Sequence, residues 1–290
     1  MDETAAAGAM QGKVVMITGA NTGIGKATAM ALAKMGATVA MHGRRRDALE
    51  GAAAEVRAAS GNDRVDLLVA DLASQNEVRR LAADFLAKHQ RLDVLLNNAG
   101  LILDRRSETV DGLETTFAVN HLAPFLLTAL LRQALHDSAP ARVVTVSSEA
   151  HRQVGGLDFD DLQGKKRYDG MKAYSASKLA NILFTRALAR QLTETGVTAN
   201  CLHPGVVRTG WGADGDMHGA FNFAMHLARP FMTSPEKGAR TSVYLASSPD
   251  VKGASGEYFK KCRVARTTPA AQDDAAAERL WLESAKLVGM

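Results

Sequence analysis

Two tyrosines in this 290-residue chain stand four residues ahead of a lysine, in Tyr168-Asp-Gly-Met-Lys172 and Tyr174-Ser-Ala-Ser-Lys178. Residues four apart on a helix share a face, so a phenol and an ammonium at that spacing can converge. The chemistry this suits is proton transfer to a reacting oxygen, for example the alkoxide left when hydride adds to a carbonyl. A free phenol titrates at about 10 and is a poor base at neutral pH. A cation beside it stabilises the phenolate and lowers that value. Only the second pair opens a run with helical spacing, through Leu179, Ile182, Leu183 and Leu188. The first has Gly170 inside it and no apolar periodicity behind it. Tyr174 and Lys178 are therefore the expected pair, and Tyr168 is a decoy.

A second constellation could hold an anion. The β-rich segment KVVMIT runs into Gly19-Ala-Asn-Thr-Gly23-Ile-Gly25, and a helical pattern begins at once. A chain turning that sharply needs residues that accept positive φ, as glycine does. Absent side chains let the backbone approach a pyrophosphate, and the helix start supplies unpaired N–H groups. Gly19, Asn21, Thr22, Gly23, Ile24 and Gly25 are the expected cradle; a purely structural turn is the alternative. The next β segment ends Ala40-Met-His42-Gly43 and is followed by Arg44-Arg45-Arg46. An NAD site usually places an acid there for the ribose hydroxyl. Guanidinium groups stand there instead, and arginine pairs with phosphate in a bidentate, charge-assisted way. NADP(H) is thus expected over NAD(H), with Arg44 the first contact and Arg45 the second. The plainer alternative is that the three arginines solvate a helix start, although base at that end opposes the helix dipole.

These groups need elements to position them. Short β-rich runs occur at residues 13–18, 38–42, 65–70, 92–96, 142–147 and 197–203, with a weaker one at 256–259. Between them lie stretches with three-to-four apolar spacing, such as 24–35, 77–88 and 125–135. Sustained alternation of this kind predicts an α/β fold: a doubly wound parallel sheet with helices on both faces. No Pro- or Gly-rich linker divides the chain, so residues 13–290 read as one domain behind a short disordered lead-in at 1–12. Residues 205–234, with Trp211, Phe221, Phe223, Met225 and Phe231, read as an apolar substrate lid, or else as residues packing a dimer or the core. The tail at 260–290 contains a helix near residues 275–287, docking on its own sheet or on a second subunit.

Composition narrows the function. Lys and Arg total 35 against 31 Asp and Glu, a net charge of +4, and aromatics are only 5%. Clustered base with interleaved aromatics is missing, so nucleic acid is not an expected partner. Cys201 and Cys262 form no CxxC pair, and the eight histidines show no metal-ligand spacing, so no metal site is expected. The first residues carry acid and no apolar core, unlike a signal peptide. No run of 18 or more apolar residues suggests a membrane span. A cytoplasmic location is the expectation.

In order along the chain stand TGANTGIGKATA, LDVLLNNAG, FAVNHLAPFLLT, RVVTVSSEAH, AYSASKLANILFTRALA, LHPGVVRT, SPEKGARTSVYLASS and GEYF. This ordered set, from about residue 13 to 260, resembles the short-chain dehydrogenase/reductase superfamily, and within it the retinol-dehydrogenase-like branch. The resemblance implies a Rossmann-type domain of about seven strands in the order 3-2-1-4-5-6-7, a nicotinamide cofactor, and a Ser-Tyr-Lys site supported by asparagine. It places Ser148, the second serine of VSS, as hydroxyl donor to the substrate oxygen, with Ser147 a backbone-bonding neighbour. Asn120 matches the asparagine that kinks its helix and relays protons through water to Lys178, which itself contacts the nicotinamide ribose alongside Tyr174. Asp71 and Leu72 would border the adenine, Asn98, Ala99 and Gly100 the adenosine half, and Pro204, Val207 and Thr209 the nicotinamide. His121 reads as a packed surface histidine. Animal members of the branch often carry an N-terminal membrane anchor, which this sequence does not show. The implied activity is interconversion of a lipophilic alcohol with its aldehyde or ketone, by a homodimer or homotetramer. A non-catalytic NADP(H)-binding sensor or scaffold, and a reductase of a ring double bond, are the other readings.

Overall fold

The computed structural model describes residues 8–207 and 233–290. Its strands are β1 (Val14–Ile17), β2 (Thr38–Gly43), β3 (Val65–Val69), β4 (Val94–Asn97), β5 (Ala141–Val146), β6 (Val197–His203), β7 (Tyr258–Lys260) and β8 (Arg263–Val264). They form one sheet in the order β3-β2-β1-β4-β5-β6-β7-β8. The first seven run parallel, as the alternation predicts, while β8 pairs antiparallel with β7. This eighth strand escapes sequence reading because its turn is made by Lys261 and Cys262, both at positive φ (53° and 60°), where glycine or asparagine would be the usual signal.

Successive strand residues face opposite sides, and helices cover both. Val15 and Ile17 point into the layer of α1 (Gly23–Lys34), α2 (Arg46–Ser60) and, further on, the helix Pro235–Ser247. Val14 and Met16 point into the opposite layer. That second layer contains α3 (Gln75–Lys88), α4 (Thr115–Phe117), α5 (Ala123–Leu130), α6 (Arg132–Asp137) and α7 (Gly170–Gln191). Pro235–Ser247 is labelled α8, and the last helix, Asp274–Leu287, is α9. Between α4 and α5 the chain runs through a π-helical turn, Ala118–Leu122, so the three segments form one continuous but locally widened helix.

The tail docks on its own chain. Trp281 of α9 stacks on Phe184 at 5.9 Å and meets Phe125 edge-on at 4.8 Å. Arg186 and Arg190 of α7 pair with Asp274, and Arg190 also reaches Glu278. Within the described part of the lead-in, Met10 is buried in the α1 layer and its N–H donates to the Met35 carbonyl. Among the described residues no helix is long and apolar enough to cross a membrane. The expected lid lies almost wholly outside the described residues, as does Thr209.

Candidate active site

Strands β1 and β4 are neighbours in space but not in sequence, so their carboxyl ends part and leave a crevice. The glycine loop lines it. Gly19 and Gly23 take positive φ of 64° and 55°. A Cβ on Gly25 would lie inside the van der Waals envelope of the Gly19 carbonyl oxygen and 2.6 Å from Asn98 Nδ2, so only glycine lets α1 begin there. Thr22 caps α1 without a side-chain hydrogen bond, and the first turn carries no acid. That leaves an uncapped, dipole-positive helix start aimed at the crevice, which fits a diphosphate. Ile24 is buried beneath it, against the Gly238 face of α8. Asn21 lies over Gly43, its Oδ1 within 3.3 Å of where a Cβ there would stand.

The loop is held from two sides. His42 of β2 is fully buried, and burial pushes its pKa down to about 4. Its neutral ring accepts from the Gly19 N–H at Nδ1 (3.3 Å) and donates from Nε2 to the Ala70 carbonyl (3.1 Å). From the other side, Asn98 Nδ2 donates to the carbonyls of Thr18 (2.8 Å) and Gly19 (3.1 Å). Thr18 Oγ1 in turn accepts from the N–H groups of Asn98 and Ala99, each at 3.0 Å. Asn98 is thus a clasp on the loop. His42 was missed because a single histidine in a strand pattern carries no periodic signal; its signal was a polar residue inside an otherwise apolar run.

Arg44 and Arg45 follow β2 and are exposed, beside the crevice; Arg46 begins α2 and pairs with Glu50. Asp71 closes an Asx turn, its Oδ1 accepting from Ala73 N–H at 2.9 Å, and Leu72 is buried beside it. Pro204 follows β6, and Val207 bridges to Thr233 while packing against Gly238.

The chemistry-bearing residues converge where β5 ends against α7. Ser148 and Tyr174 are hydrogen-bonded neighbours, and Ser148 Oγ also accepts from Ala150 N–H at 3.1 Å. Lys178 is buried, donates from Nζ to the Val146 carbonyl at 3.1 Å, and lies 5.5 Å from the Tyr174 ring centre. Asn120 sits in the π turn, where its Oδ1 accepts from Leu101 N–H and its Nδ2 donates to the Leu101 carbonyl, both at 2.8 Å. The same Nδ2 donates to Ser177 Oγ on α7 at 2.9 Å. Gly100 completes the wall: a Cβ there would stand 3.2 Å from both Asn120 Oδ1 and Lys178 Nζ.

Burial dominates the electrostatics of the pair. Burial pushes the Tyr174 phenol well above its ordinary value, opposed only by the Ser148 hydrogen bond, and lowers Lys178 to about 8. Desolvation outweighs the cation here: the ammonium, bonded to the Val146 carbonyl, lies 5.5 Å from the ring centre. At neutral pH the buried phenol holds its proton, as a general acid must.

Tyr168 lies outside α7, which starts at Gly170, so its spacing to Lys172 never becomes a helical face. Its hydroxyl donates to Glu114 Oε1 at 3.0 Å, and Glu114 caps α4. The turn after Ser148 carries residues no motif singled out. His151 Nδ1 bonds the Ser148 carbonyl at 2.7 Å, and His203 Nδ1 accepts from Glu149 N–H at 3.3 Å. The Glu149 carboxylate accepts from Tyr258 Oη (2.8 Å) and Lys260 Nζ (3.0 Å), which holds it down at about 2. Tyr258 and Lys260 are only two apart on β7 and bind Glu149 from the far side, so they brace the Ser148 turn. His121 is fully buried, not a surface residue.

A doubly wound sheet with a glycine-lined crevice and a Ser-Tyr-Lys cluster at its edge defines the class of nucleotide-dependent dehydrogenases. The short chain dehydrogenase family model matches residues 13–216, and the chain belongs to that family. It is 47% identical over 281 residues to retinol dehydrogenase 12 of Mus musculus, covering 96% of this chain and 87% of that protein. It is 44% identical over 297 residues to retinol dehydrogenase 14 of Homo sapiens, covering 98% and 88%. Among solved structures, an uncharacterized protein from Mycobacterium Paratuberculosis matches with a TM-score of 0.77 and 33% identity, over 97% of this chain and 94% of that one. A short chain dehydrogenase from Burkholderia cenocepacia J2315 in complex with NADP matches with a TM-score of 0.68 and 27% identity, over 86% and 96%.

Proposed function

We propose that the protein is an NADP(H)-dependent oxidoreductase that interconverts a lipophilic alcohol with its aldehyde or ketone. The observation that carries this is the meeting of Ser148, Tyr174, Lys178 and Asn120 at one buried wall beside the glycine-lined crevice. A sensor or scaffold has no use for that proton chemistry. The relatives named as retinol dehydrogenases support a lipophilic substrate, and the neighbour held with NADP supports the phosphorylated cofactor.

The glycine loop residues Gly19, Asn21, Thr22, Gly23, Ile24 and Gly25 would hold the diphosphate, and Arg44 with Arg45 the 2′-phosphate. Asp71, Leu72, Asn98, Ala99 and Gly100 border the adenosine half, and Pro204, Val207 and Thr209 the nicotinamide. When bound, the cofactor supplies or accepts hydride at the nicotinamide ring. Ser148 donates a hydrogen bond to the substrate oxygen and so stabilises charge that develops there. In the reductive direction the protonated Tyr174 delivers its proton to that oxygen, a role its raised pKa suits. In the oxidative direction Tyr174 must first lose that proton, which Lys178 favours by its charge; Asn120 orders the path by which the proton returns.

The remaining parts of this reading are residues 13–290 as one catalytic unit, a cytoplasmic location, and a homodimer or homotetramer. The test is NADPH consumption in the dark across a series of aldehydes and ketones of increasing chain length. Turnover rising with apolar chain length is expected. Tight NADPH binding with no turnover on any of them would favour the sensor.

A further inference from the structure

The π turn places two consecutive polar residues in the core, and only Asn120 belongs to the site described above. His121 is fully buried among the rings of Phe117, Phe125 and Phe184, at 5.0, 6.4 and 6.1 Å between centroids. A purely apolar role would favour leucine here, yet the ring has polar partners. Its Nε2 is 2.8 Å from Ser284 Oγ on α9.

The other nitrogen faces α7. Ser177, Asn181 and Phe184 share one face of that helix; Asn120 bonds Ser177 and the His121 ring meets Phe184, so the ring lies against Asn181. His121 Nδ1 and Asn181 Oδ1 are both buried and neither has a partner within hydrogen-bonding distance, two polar atoms left over on facing elements. Asn181 Nδ2 donates to the Val146 carbonyl at 3.3 Å, the same oxygen that accepts from Lys178 Nζ at 3.1 Å. With its amide nitrogen so committed, Asn181 presents its oxygen to the ring, and that oxygen calls for a donor. His121 must then carry its proton on Nδ1, which leaves Nε2 to accept from the Ser284 hydroxyl. The ring is neutral at physiological pH, held low by burial and raised slightly by Asn181.

We propose that His121 is a positioning residue for Lys178: through Asn181 it fixes the Val146 carbonyl on which the lysine ammonium rests, and it ties that carbonyl to the docked C-terminal helix. The inference rests on the reading of Lys178 as the partner of Tyr174 and the cofactor. The sheet places the Val146 backbone, and the Asn181 side-chain amide bonds only that carbonyl, so the ring packed against its oxygen limits how the amide can turn.

The test compares His121→Asn, which keeps an N–H near Nδ1, with His121→Gln, which keeps a polar atom near Nε2, alongside His121→Leu, Asn181→Leu and the double leucine variant. The readouts are kcat, KM for NADPH and for an aldehyde, and Tm. Misplacing the ammonium by a fraction of an ångström predicts a kcat loss of roughly 10–100-fold for each leucine variant, with KM for the aldehyde little changed. His121→Asn recovers most of that rate and His121→Gln does not. The double variant is no slower than Asn181→Leu alone, because both act through one oxygen. Additive losses, equal rescue by Asn and Gln, or kcat losses that merely track Tm would overturn the proposal. If Lys178→Ala keeps turnover, the reading of the site itself fails. If Lys178→Ala is inactive while His121→Leu matches the parent, only the positioning role fails.

Discussion

Ser147 donates its hydroxyl to the backbone carbonyl of Lys178 at 2.7 Å. The bond pins the middle of α7 to the end of β5, one residue before Ser148, and so sets the distance between Ser148 and Tyr174. Two adjacent serines therefore divide the work, one bracing the helix and the other facing the crevice.

Replacing Tyr174 with phenylalanine removes the proton donor and leaves the ring in its buried slot. General acid catalysis of this kind contributes about 10²–10⁴-fold, so kcat should fall by that factor. NADPH affinity, measured by fluorescence titration, should stay close to that of the parent. Near-normal kcat would reassign the acid.

Arg44 and Arg45 follow β2 where a 2′-phosphate would lie. Arg44→Gln should weaken NADPH binding by roughly 10-fold or more, the worth of one charge-assisted hydrogen bond, and leave NADH almost untouched. The ratio of kcat/KM for the two cofactors reports it. A parallel loss for both would mean that Arg44 does not read the phosphate.

Two glycine-to-alanine changes should act in opposite directions. Gly25→Ala drives a methyl into the Gly19 carbonyl and Asn98, so NADPH binding should be lost with a lowered Tm. Gly51, inside α2, has nothing within 4 Å of its would-be Cβ. Gly51→Ala should stabilise by about 0.5–1 kcal/mol, since glycine lowers helix stability by that amount. Thermal melts of both variants settle the contrast.

Stability should fall in mild acid. His42, His121 and His203 are held at about 4, 3 and 4, below the unfolded value of 6.5. As pH drops below 6.5 the unfolded chain takes up protons that the fold refuses. Their contribution is thus complete above 6.5 and erodes toward pH 4, by about 1.4 kcal/mol per pH unit for each histidine. Glu149, held low, adds its own loss only below its unfolded value of 4.5. Urea unfolding at pH 7, 6 and 5 should show the slope, and a flat profile would contradict the buried neutral rings.

Strand alternation and the glycine spacing made the seven parallel strands and the phosphate loop legible, because both follow from periodicities of a few residues. The choice between Tyr174 and Tyr168 was legible for the same reason: helical spacing continues behind one and not the other. The eighth strand was not, since Lys261 and Cys262 adopt positive φ under tertiary constraint rather than by residue type. His42, Asn181 and Ser284 stayed hidden because each matters through a partner distant in sequence, as with Ser284 and His121 at a separation of 163 residues. The burial of Tyr174 is hidden for a related reason. Residue types show a cation nearby, but only packing shows that burial outweighs it.

The bond between His121 and Ser284 also orders events in time. A ribosome adds about 5–20 residues per second, so a span of 163 residues takes roughly 10–30 s to emerge. Throughout that interval the nascent chain holds a histidine without its hydroxyl and Phe125 uncovered, joined by Phe184 once that residue is made. The aromatic cluster behind the active-site wall is thus completed only when the last helix is made, although its other members come from the first two-thirds of synthesis.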